Sequence, residues 1–490
     1  MKFSKLKMTL AIASLGFLNI VIADPDVPAN ITTPDIVKTK TVGDLHFKDG
    51  FPADDTISKV QQYMFIQRAV NIFVDGIAIS SMQAMLEGSK SIGGKPNKSV
   101  LINETLHDKN SLWLTPNTTT PYIVAEVDVK KTPMVLELQS SVLGLVDDAY
   151  FKYVGDIGLG NPADQGKGGK YLIVHDSYKG KIPEGYIVLT TPTYRNWVPM
   201  RLNSVKDIPQ FKETFKMYPL GGKPDMDFIN FSGVKYNTIH ANNVDFYFEL
   251  NEVIQYEPET SGDPHFKGLA ASIGIIKGKP FDPKGKHLEA LKEAAAIANV
   301  YVRNQAFRPT NDETYFFGKS KRQWFLPFGS TFDYRFIQDG RVFLDDRTAF
   351  HYLATGITPL MTAQFDGKGS SYLVTTTDSS SAALDGNEVY TVTLPPNPPM
   401  KRFWSFVVYD NQTRSILATD QRAAGFDSRG DVVTNKDGSV TVTFSAKKPE
   451  GKSNWVQTLP NKGFFTMFRM YSPTQAWHDG KYVIGDLIKQ

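Results

Sequence analysis

Charged side chains interrupt two apolar strands that the sequence predicts near its C-terminus. One strand ends at Asp410, and a second, over 464–471, places Arg469 and Tyr471 on one face because side chains alternate along a strand. A carboxylate or a guanidinium is costly to bury unless it is paired. Two interpretations follow: Asp410 forms a structural ion pair with Arg414 or Arg469, or the arginines and aromatic rings hold a polar ligand.

The last third of the chain supplies most of the candidate ligand-binding residues. A predicted loop upstream of the last strand contains an Asn-Trp pair. If the protein is a hydrolase, Asp410 and Asp420 are the candidate acids. Tyr409, Arg414 and Arg469 would then stabilise the charge that develops. The candidates in this region are Asp410, Arg414, Asp420, Asn454, Trp455, Arg469 and Tyr471.

Other local motifs do not indicate known chemistry. The glycine-rich stretch 158–170 departs from phosphate-loop spacing and leads into a strand rather than a helix, so we interpret it as a connection. Residues 270–274 are a poor variant of the nucleophile elbow, without a preceding strand. The eight histidines show no metal-binding spacing, and there is no cysteine, which excludes disulfides and thiolate chemistry. We predict neither a metal site nor a cofactor.

The N-terminus predicts export. Basic residues precede an apolar run that ends at small residues, which is typical of a signal peptide over 1–23. The whole chain has 54 Lys+Arg and 51 Asp+Glu. Removal of Lys2, Lys5 and Lys7 leaves 54 − 3 = 51 basic residues, so the mature protein is formally neutral. We therefore expect a periplasmic or extracellular protein that does not bind nucleic acid and has no transmembrane segment once the signal peptide is removed.

Hydrophobic periodicity indicates a β-rich protein with helical insertions. Helices are predicted over 55–88 and 286–304, and the last third contains short strands separated by turn residues, typical of a sandwich or jelly roll. The stretch 244–250 fits either a strand or a helix. The predicted organisation is a signal peptide (1–23), an extended arm (24–53), a helix plus β-sandwich domain (54–200), a largely helical middle region (201–330) and a C-terminal jelly-roll-like domain (331–490).

Ordered sequence blocks resemble those of secreted bacterial proteins built from two domains of unknown function, families 1254 and 1214. The blocks include Thr115–Tyr122, Thr193–Trp197, Phe403–Asp410 and Asn454–Thr458. The resemblance implies an N-terminal immunoglobulin-like β-sandwich, a small helical middle region and a C-terminal jelly-roll-like sandwich. It also adds Asn117 and Tyr122 to the candidate binding residues. In the first block, Thr119 stands where the family usually has an aspartate.

Three hypotheses about function follow, in decreasing order of support. The first is a cell-envelope protein that binds a polar small molecule, either a glycan or a small acid. The second is an envelope or extracellular hydrolase that acts on a glycan or an ester. The third is a structural protein that assembles as a homo-oligomer. Convergence of the candidate residues in one open pocket would favour the first two.

Overall fold

The computed structural model describes residues 27–138, 142–318 and 320–490. The predicted signal peptide lies outside them. Within the described chain there are six β-sheets and eight α-helices, which confirms the predicted fold class of β-rich domains with helical insertions. One compact unit ends at Met64, and a second runs from Phe65 to Gln490. No observation tests the predicted domain boundaries, which stay predictions.

The helices and strands are numbered in chain order. The α-helices are α1 Asp54–Ser91, α2 Ile208–Thr214, α3 Asp245–Tyr256, α4 Pro264–Ser272, α5 Gly285–Phe307, α6 Leu344–Leu353, α7 Pro359–Thr362 and α8 Gln475–His478. The first eleven strands are β1 Ile36–Thr39, β2 Gly43–Lys48, β3 Phe51–Pro52, β4 Ser99–Ile102, β5 Tyr122–Asp128, β6 Met134–Leu138, β7 Leu143–Asp148, β8 Tyr153–Gly158, β9 Gly169–His175, β10 Ile187–Thr191 and β11 Arg195–Arg201. The remaining strands are β12 Lys216–Pro219, β13 Asp227–Asn230, β14 Ile337–Gln338, β15 Arg341–Val342, β16 Ser370–Thr375, β17 Tyr390–Leu394, β18 Trp404–Asp410, β19 Gly425–Asp427, β20 Val440–Ser445, β21 Asn454–Gln457, β22 Phe464–Tyr471 and β23 Ile488–Lys489.

The segment predicted as an extended arm contains a small antiparallel sheet. Strands β1, β2 and β3 pair in sequence order, and a tight turn at Gly43 joins the first two. The burial of these strands alternates only between exposed and intermediate positions. This sheet therefore has no fully buried face.

Two sheets in the N-terminal half enclose one apolar core. Their strand orders are β10-β9-β6-β12 and β13-β4-β5-β11-β7-β8. On β5, Ile123, Ala125 and Val127 enter the core between the sheets, whereas Tyr122 and Val124 belong to a second core on the other face. Since β5 is central and covered on both faces, it is almost continuously buried.

A helical layer built on α1, α3 and α5 provides another core. Phe73 of α1 stacks on Phe246 of α3 with ring centroids 3.9 Å apart. In the described chain, α1 is the one helix long and apolar enough to cross a membrane, but 72% of its most apolar window is buried inside the protein. That degree of burial is typical of a core helix in a folded domain.

The C-terminal sandwich consists of sheets β16-β22-β18-β19 and β21-β20-β17-β23. Phe406 of β18 contacts Phe468 of β22 within its own sheet, at 4.9 Å, and Phe444 of β20 across the core, at 5.7 Å. Because side chains alternate, Arg469 and Tyr471 on β22 lie on the outer face of the first sheet, away from this core. The outer face is where the candidate site forms.

Candidate functional site

A small pocket lies between the outer face of the C-terminal sheet and the ends of two N-terminal strands. On the C-terminal side, Arg469 of β22 pairs in register with Tyr372 of β16. On the N-terminal side, Arg201 at the end of β11 pairs with Tyr122 at the start of β5. All four side chains line the pocket, together with Tyr471. The fold thus joins residues from both halves of the chain in one place.

The loop 115–121 forms the pocket wall, and Asn117 holds its conformation. The side-chain oxygen of Asn117 accepts hydrogen bonds from the amides of Thr119 and Thr120 at 2.9 and 3.0 Å. Its Nδ2 donates to the hydroxyl of Tyr122 at 3.1 Å. This arrangement is an Asx-type turn, in which the side chain replaces backbone partners. Asn117 therefore orients Tyr122 at the rim of the pocket.

Arg469 has an incomplete set of hydrogen bonds. The side chain is 3% exposed, and its Nη2 donates to the carbonyl oxygen of Thr115 at 2.7 Å. Its Nη1 is buried and has no hydrogen-bond partner among the described residues. No salt bridge to Arg469 occurs in the described chain. A buried guanidinium with an unused donor has capacity left for a further hydrogen bond.

The second guanidinium, that of Arg201, faces the same pocket. Its central carbon lies 4.6 Å from the centroid of the Tyr122 ring, and it too has no ion-pair partner within the described residues. Burial lowers the pKa of both arginines, but the surrounding tyrosines outweigh this effect and raise it. Both side chains therefore stay positively charged at physiological pH.

Tyrosine hydroxyls complete the polar lining. The hydroxyl of Tyr471 lies 3.0 Å from Oγ1 of Thr119, and the Tyr471 ring stacks on Phe403. Burial raises the pKa of Tyr471, with smaller opposing effects from Arg469 and Arg201, so the hydroxyl stays protonated and able to donate. Tyr409, behind Arg469, donates to the carbonyl oxygen of Pro116 at 2.8 Å.

A buried histidine behind Tyr122 adds no charge. The ring centroid of His107 is 4.6 Å from that of Tyr122. Burial, helped by Arg201 and Arg422, lowers the pKa of His107 to about 3. The imidazole is therefore neutral at physiological pH, and the positive charge of the pocket comes from its two arginines.

The pocket combines two positive charges with no carboxylate. No Asp or Glu lines it in the described part of the chain. Its cavity of about 40 Å³ holds about three water molecules, at roughly 10–15 Å³ each. The chemistry that fits is recognition of a compact anionic group, such as a carboxylate or an oxyanion, by guanidinium and hydroxyl donors.

Of the residues predicted from sequence, Asn117, Tyr122, Arg469 and Tyr471 line this pocket. Asp410 does not. Its Oδ1 accepts hydrogen bonds from the amides of Gln412 and Thr413 at 2.6 and 3.4 Å, and its Oδ2 forms an ion pair with Lys462. The expected ion pair with Arg414 or Arg469 is therefore absent among the described residues, because the turn amides and a lysine occupy the carboxylate.

Arg414 is buried elsewhere, beside α6. Its guanidinium stacks on the Tyr352 ring at 3.9 Å and donates to the carbonyl oxygens of Tyr352 and Gln412 at 3.3 and 2.9 Å. Burial lowers the pKa of Arg414 to about 10. Its donors face backbone carbonyls and the imidazole of His240, and this arginine is structural.

Three further candidates form a separate group around β21. The prediction of a loop at Asn454 and Trp455 is wrong, since both belong to β21, which pairs with β20. Asn454 bonds to the backbone of Val433 and Thr441, while Asp420 accepts from Nε2 of Gln457 at 2.9 Å. These polar groups are satisfied within the protein, and none of the three residues lines the arginine pocket.

Sequence reasoning did not identify Arg201 or Tyr372. Arg201 ends a strand that contains Pro199, and a proline argues against a central strand. The sequence signal for a strand here is weak: Val198 and Met200, which are both fully buried, are apolar residues on either side of Pro199. Tyr372 lies in β16, and its place opposite Arg469 depends on long-range pairing.

Comparison with known families confirms the predicted resemblance. Two family models match, in the expected order. Residues 96–219 match the model described as "Protein of unknown function (DUF1254)", and residues 369–475 match "Protein of unknown function (DUF1214)". The first region contains Tyr122 and Arg201 and the second contains Tyr372, Arg469 and Tyr471, so the pocket joins the two matched regions. No curated protein matches the chain.

Two solved structures match most of the chain. The VPA0106 protein from Vibrio parahaemolyticus is 16% identical, with a TM-score of 0.50, and the match covers 87% of this chain and 100% of that one. An uncharacterized protein from Burkholderia cenocepacia is 12% identical, with a TM-score of 0.38 and coverage of 89% and 91%. At such identities the first match supports a shared fold alone.

Proposed function

We propose that this protein binds a small acid, whose anionic group lies between Arg201 and Arg469. The observation that carries the proposal is the pair of guanidiniums in a pocket with no carboxylate in its described lining. A buried charge without a partner is strongly unfavourable, and a bound anion offsets that penalty. Tyr122 and Tyr471 supply hydroxyl donors for the same group.

The size of the pocket favours a small acid over a glycan. A cavity of about 40 Å³ has room for a carboxylate or an oxyanion but not for a sugar ring. Binding is also favoured over hydrolysis. Asp410 and Asp420, the candidate acids, are engaged away from the arginines, and the described lining contains no histidine or carboxylate to act as a general base.

The proposal includes export to the periplasm or the cell exterior, on the basis of the predicted signal peptide. Mass measurement of the protein purified from its own host tests this part. A mature N-terminus at Asp24 is expected, and a chain retaining Met1 in the cytoplasmic fraction would contradict it.

Isothermal titration of the full chain with phosphate, sulfate and succinate tests the binding site. Arg469→Met replaces the guanidinium by an uncharged side chain of similar length. A hydrogen bond to a charged group contributes about 1.5–3 kcal/mol, so the dissociation constant should rise about 10- to 150-fold. Arg201→Met should weaken binding in the same direction. Arg308→Met, at an exposed arginine outside the pocket, removes the same charge and should leave affinity unchanged.

Circular dichroism establishes that each variant is folded before titration. If the folded wild type binds none of the three anions at millimolar concentration, the proposal is wrong. It is equally wrong if Arg308→Met weakens binding as much as Arg469→Met, because the effect would then come from net charge rather than from the pocket.

A further inference from the structure

A second and much larger cavity opens beside α1 and α6. Its volume is about 510 Å³, within the range of about 300–1,000 Å³ that is typical of small-molecule sites. The buried part is apolar and aromatic, with Ile77, Phe151, Phe266, Phe336 and Ile357 among its lining residues. None of the lining residues belongs to the arginine pocket described above.

The entrance differs in character from the interior. Lys152, Asp263, His265 and Arg335 lie there, and all four are exposed. The carboxylate of Asp333 pairs with Arg335 at 2.8 Å. The cavity is thus apolar inside and polar with mixed charge at its rim, which suits a ligand with an apolar body rather than a strongly charged one.

Two residues of α6, Thr348 and His351, line the cavity and each has a polar atom without a hydrogen-bond partner in the described chain. The side-chain oxygen of Thr348 is buried and has no hydrogen-bond partner in the described chain. His351 is 7% exposed, and its Nδ1 must donate to the carbonyl oxygen of Arg347 at 2.9 Å, because a carbonyl only accepts. Its Nε2 is then an acceptor, and no residue that the structure describes donates to it.

The protonation state of His351 supports this assignment. Burial is the main cause that lowers its pKa, to about 4; the hydrogen bond to the Arg347 carbonyl opposes this effect, and the charge of Arg347 adds a smaller lowering effect. The ring is therefore neutral at physiological pH. Phe151 and Phe350 contact its edges at centroid distances of 4.9 and 5.1 Å, which fixes the ring orientation.

An ion pair bounds the cavity on the α1 side. Arg347 donates to Oδ1 of Asp75 at 2.7 Å, and both side chains are about one-third exposed. Because these two charges are paired, neither is free to bind a charged ligand. The Asp75 carboxylate, Nε2 of His351 and the Thr348 hydroxyl can all accept hydrogen bonds. A hydrogen-bond donor is therefore the complementary group on a ligand.

We propose that this cavity binds an uncharged, flat apolar molecule that carries a hydroxyl group, such as an aromatic alcohol. The apolar body occupies the space between the aromatic side chains, and the hydroxyl donates to Nε2 of His351 beside the Thr348 side chain. The site is distinct from the proposed anion pocket and uses different residues. It does not rest on the small-acid proposal.

A fluorescence experiment on the full chain tests the cavity. N-phenyl-1-naphthylamine, a neutral probe that brightens in apolar surroundings, is bound first and then displaced by 2-naphthol, 2-methylnaphthalene or 2-naphthoate. One hydrogen bond to a neutral acceptor should make 2-naphthol bind about 3- to 10-fold tighter than 2-methylnaphthalene. Naphthoate should bind weakest, because the cation in the cavity interior, Arg347, is paired with Asp75, and Lys152 at the rim is exposed to solvent.

Variants locate the binding. Ala78→Phe on α1 and Val342→Trp at the exposed rim each fill the cavity, and each should abolish probe binding, while Ala296→Phe at an exposed position of α5 should not. His351→Phe should remove the preference for 2-naphthol over 2-methylnaphthalene. Arg469→Met should leave all three affinities unchanged, which separates this site from the anion pocket.

Three outcomes would overturn the proposal. The first is a folded wild type that does not brighten the probe. The second is unchanged probe binding in both cavity-filling variants, since the probe would then lie elsewhere. The third is naphthoate binding tighter than naphthol, which would assign the cavity to acids instead.

Discussion

Replacing Thr119 by aspartate should close the arginine pocket to anions. Oγ1 of Thr119 lies 3.0 Å from the hydroxyl of Tyr471, and the pKa of that hydroxyl responds to both Arg469 and Arg201. A carboxylate at position 119 therefore lies within the range over which both guanidiniums act. This carboxylate would supply the negative charge that, in the wild-type pocket, a bound anion supplies.

The magnitude follows from charge and distance. For a carboxylate placed roughly 5 Å from a guanidinium, with an effective dielectric constant of about 20, one pair of unit charges interacts by about 3 kcal/mol. Two such pairs exceed the several kcal/mol needed to bury a carboxylate, leaving a net gain on the order of 1 kcal/mol in the free energy of unfolding. An incoming anion would meet the new carboxylate at similar range, so its affinity should fall about 100-fold.

The assay is isothermal titration with phosphate, alongside thermal melts without ligand. Thr119→Asn is the matched control, because it has nearly the same shape as the aspartate without its charge. The expected result is a higher melting temperature and lost binding in Thr119→Asp, with near wild-type affinity in Thr119→Asn. Equal loss in both variants would refute the electrostatic reasoning, since it would trace the effect to shape.

Two further predictions concern stability. Burial raises the pKa of Glu126 on β5 to about 7, so the folded state keeps a proton that the unfolded state loses above about pH 4.5, and stability falls as pH rises through that window. In urea melts, Glu126→Gln should gain on the order of 3 kcal/mol relative to wild type between pH 4 and pH 8, and a pH-independent difference would contradict this. Gly158 has φ +69° and a Cβ there would lie 1.9 Å from the carbonyl oxygen of Val142, whereas Gly185 has φ +86° and open space. Gly158→Ala should therefore lower the free energy of unfolding by more than the roughly 1 kcal/mol expected for Gly185→Ala, and equal losses in chemical denaturation would show that the contact is relieved.

Local periodicity predicted most of the strands and long helices. The strand at 464–471 has the predicted bounds, and the strand predicted to end at Asp410 does so. All of the ambiguous stretch 244–250 except Val244, the N-cap, belongs to helix α3, whose buried residues Phe246, Leu250 and Val253 follow helical spacing. The helical spacing is clear only when Val253 and Ile254, which lie beyond the stretch, are included. A window of seven residues therefore does not distinguish a helix from a strand.

The candidate site was predictable in part, for a physical reason. Alternation along one strand placed Arg469 and Tyr471 on the same face, which requires only local geometry. Pairing of Arg201 with Tyr122, and the contact of that pair with the C-terminal sheet, are long-range properties of the fold. Conversely, Asp410 and Arg414 are close in sequence, yet a turn that binds the carboxylate through its own amides separates their side chains.

Helix α6 lines both cavities, and its packing argues that they bind independently. Thr348 and His351 face the large cavity, whereas Phe350 and Leu353 line the anion pocket. Proximity alone does not couple two sites, because coupling requires an element with two arrangements that each ligand stabilises differently. Phe350 is fully buried between Phe328 and Phe336, at centroid distances of 4.9 and 5.4 Å. This packing holds α6 in a single position. Saturating 2-naphthol should therefore change the dissociation constant of phosphate less than twofold in isothermal titration. A tenfold change, about 1.4 kcal/mol of coupling, would mean that α6 moves when either cavity fills.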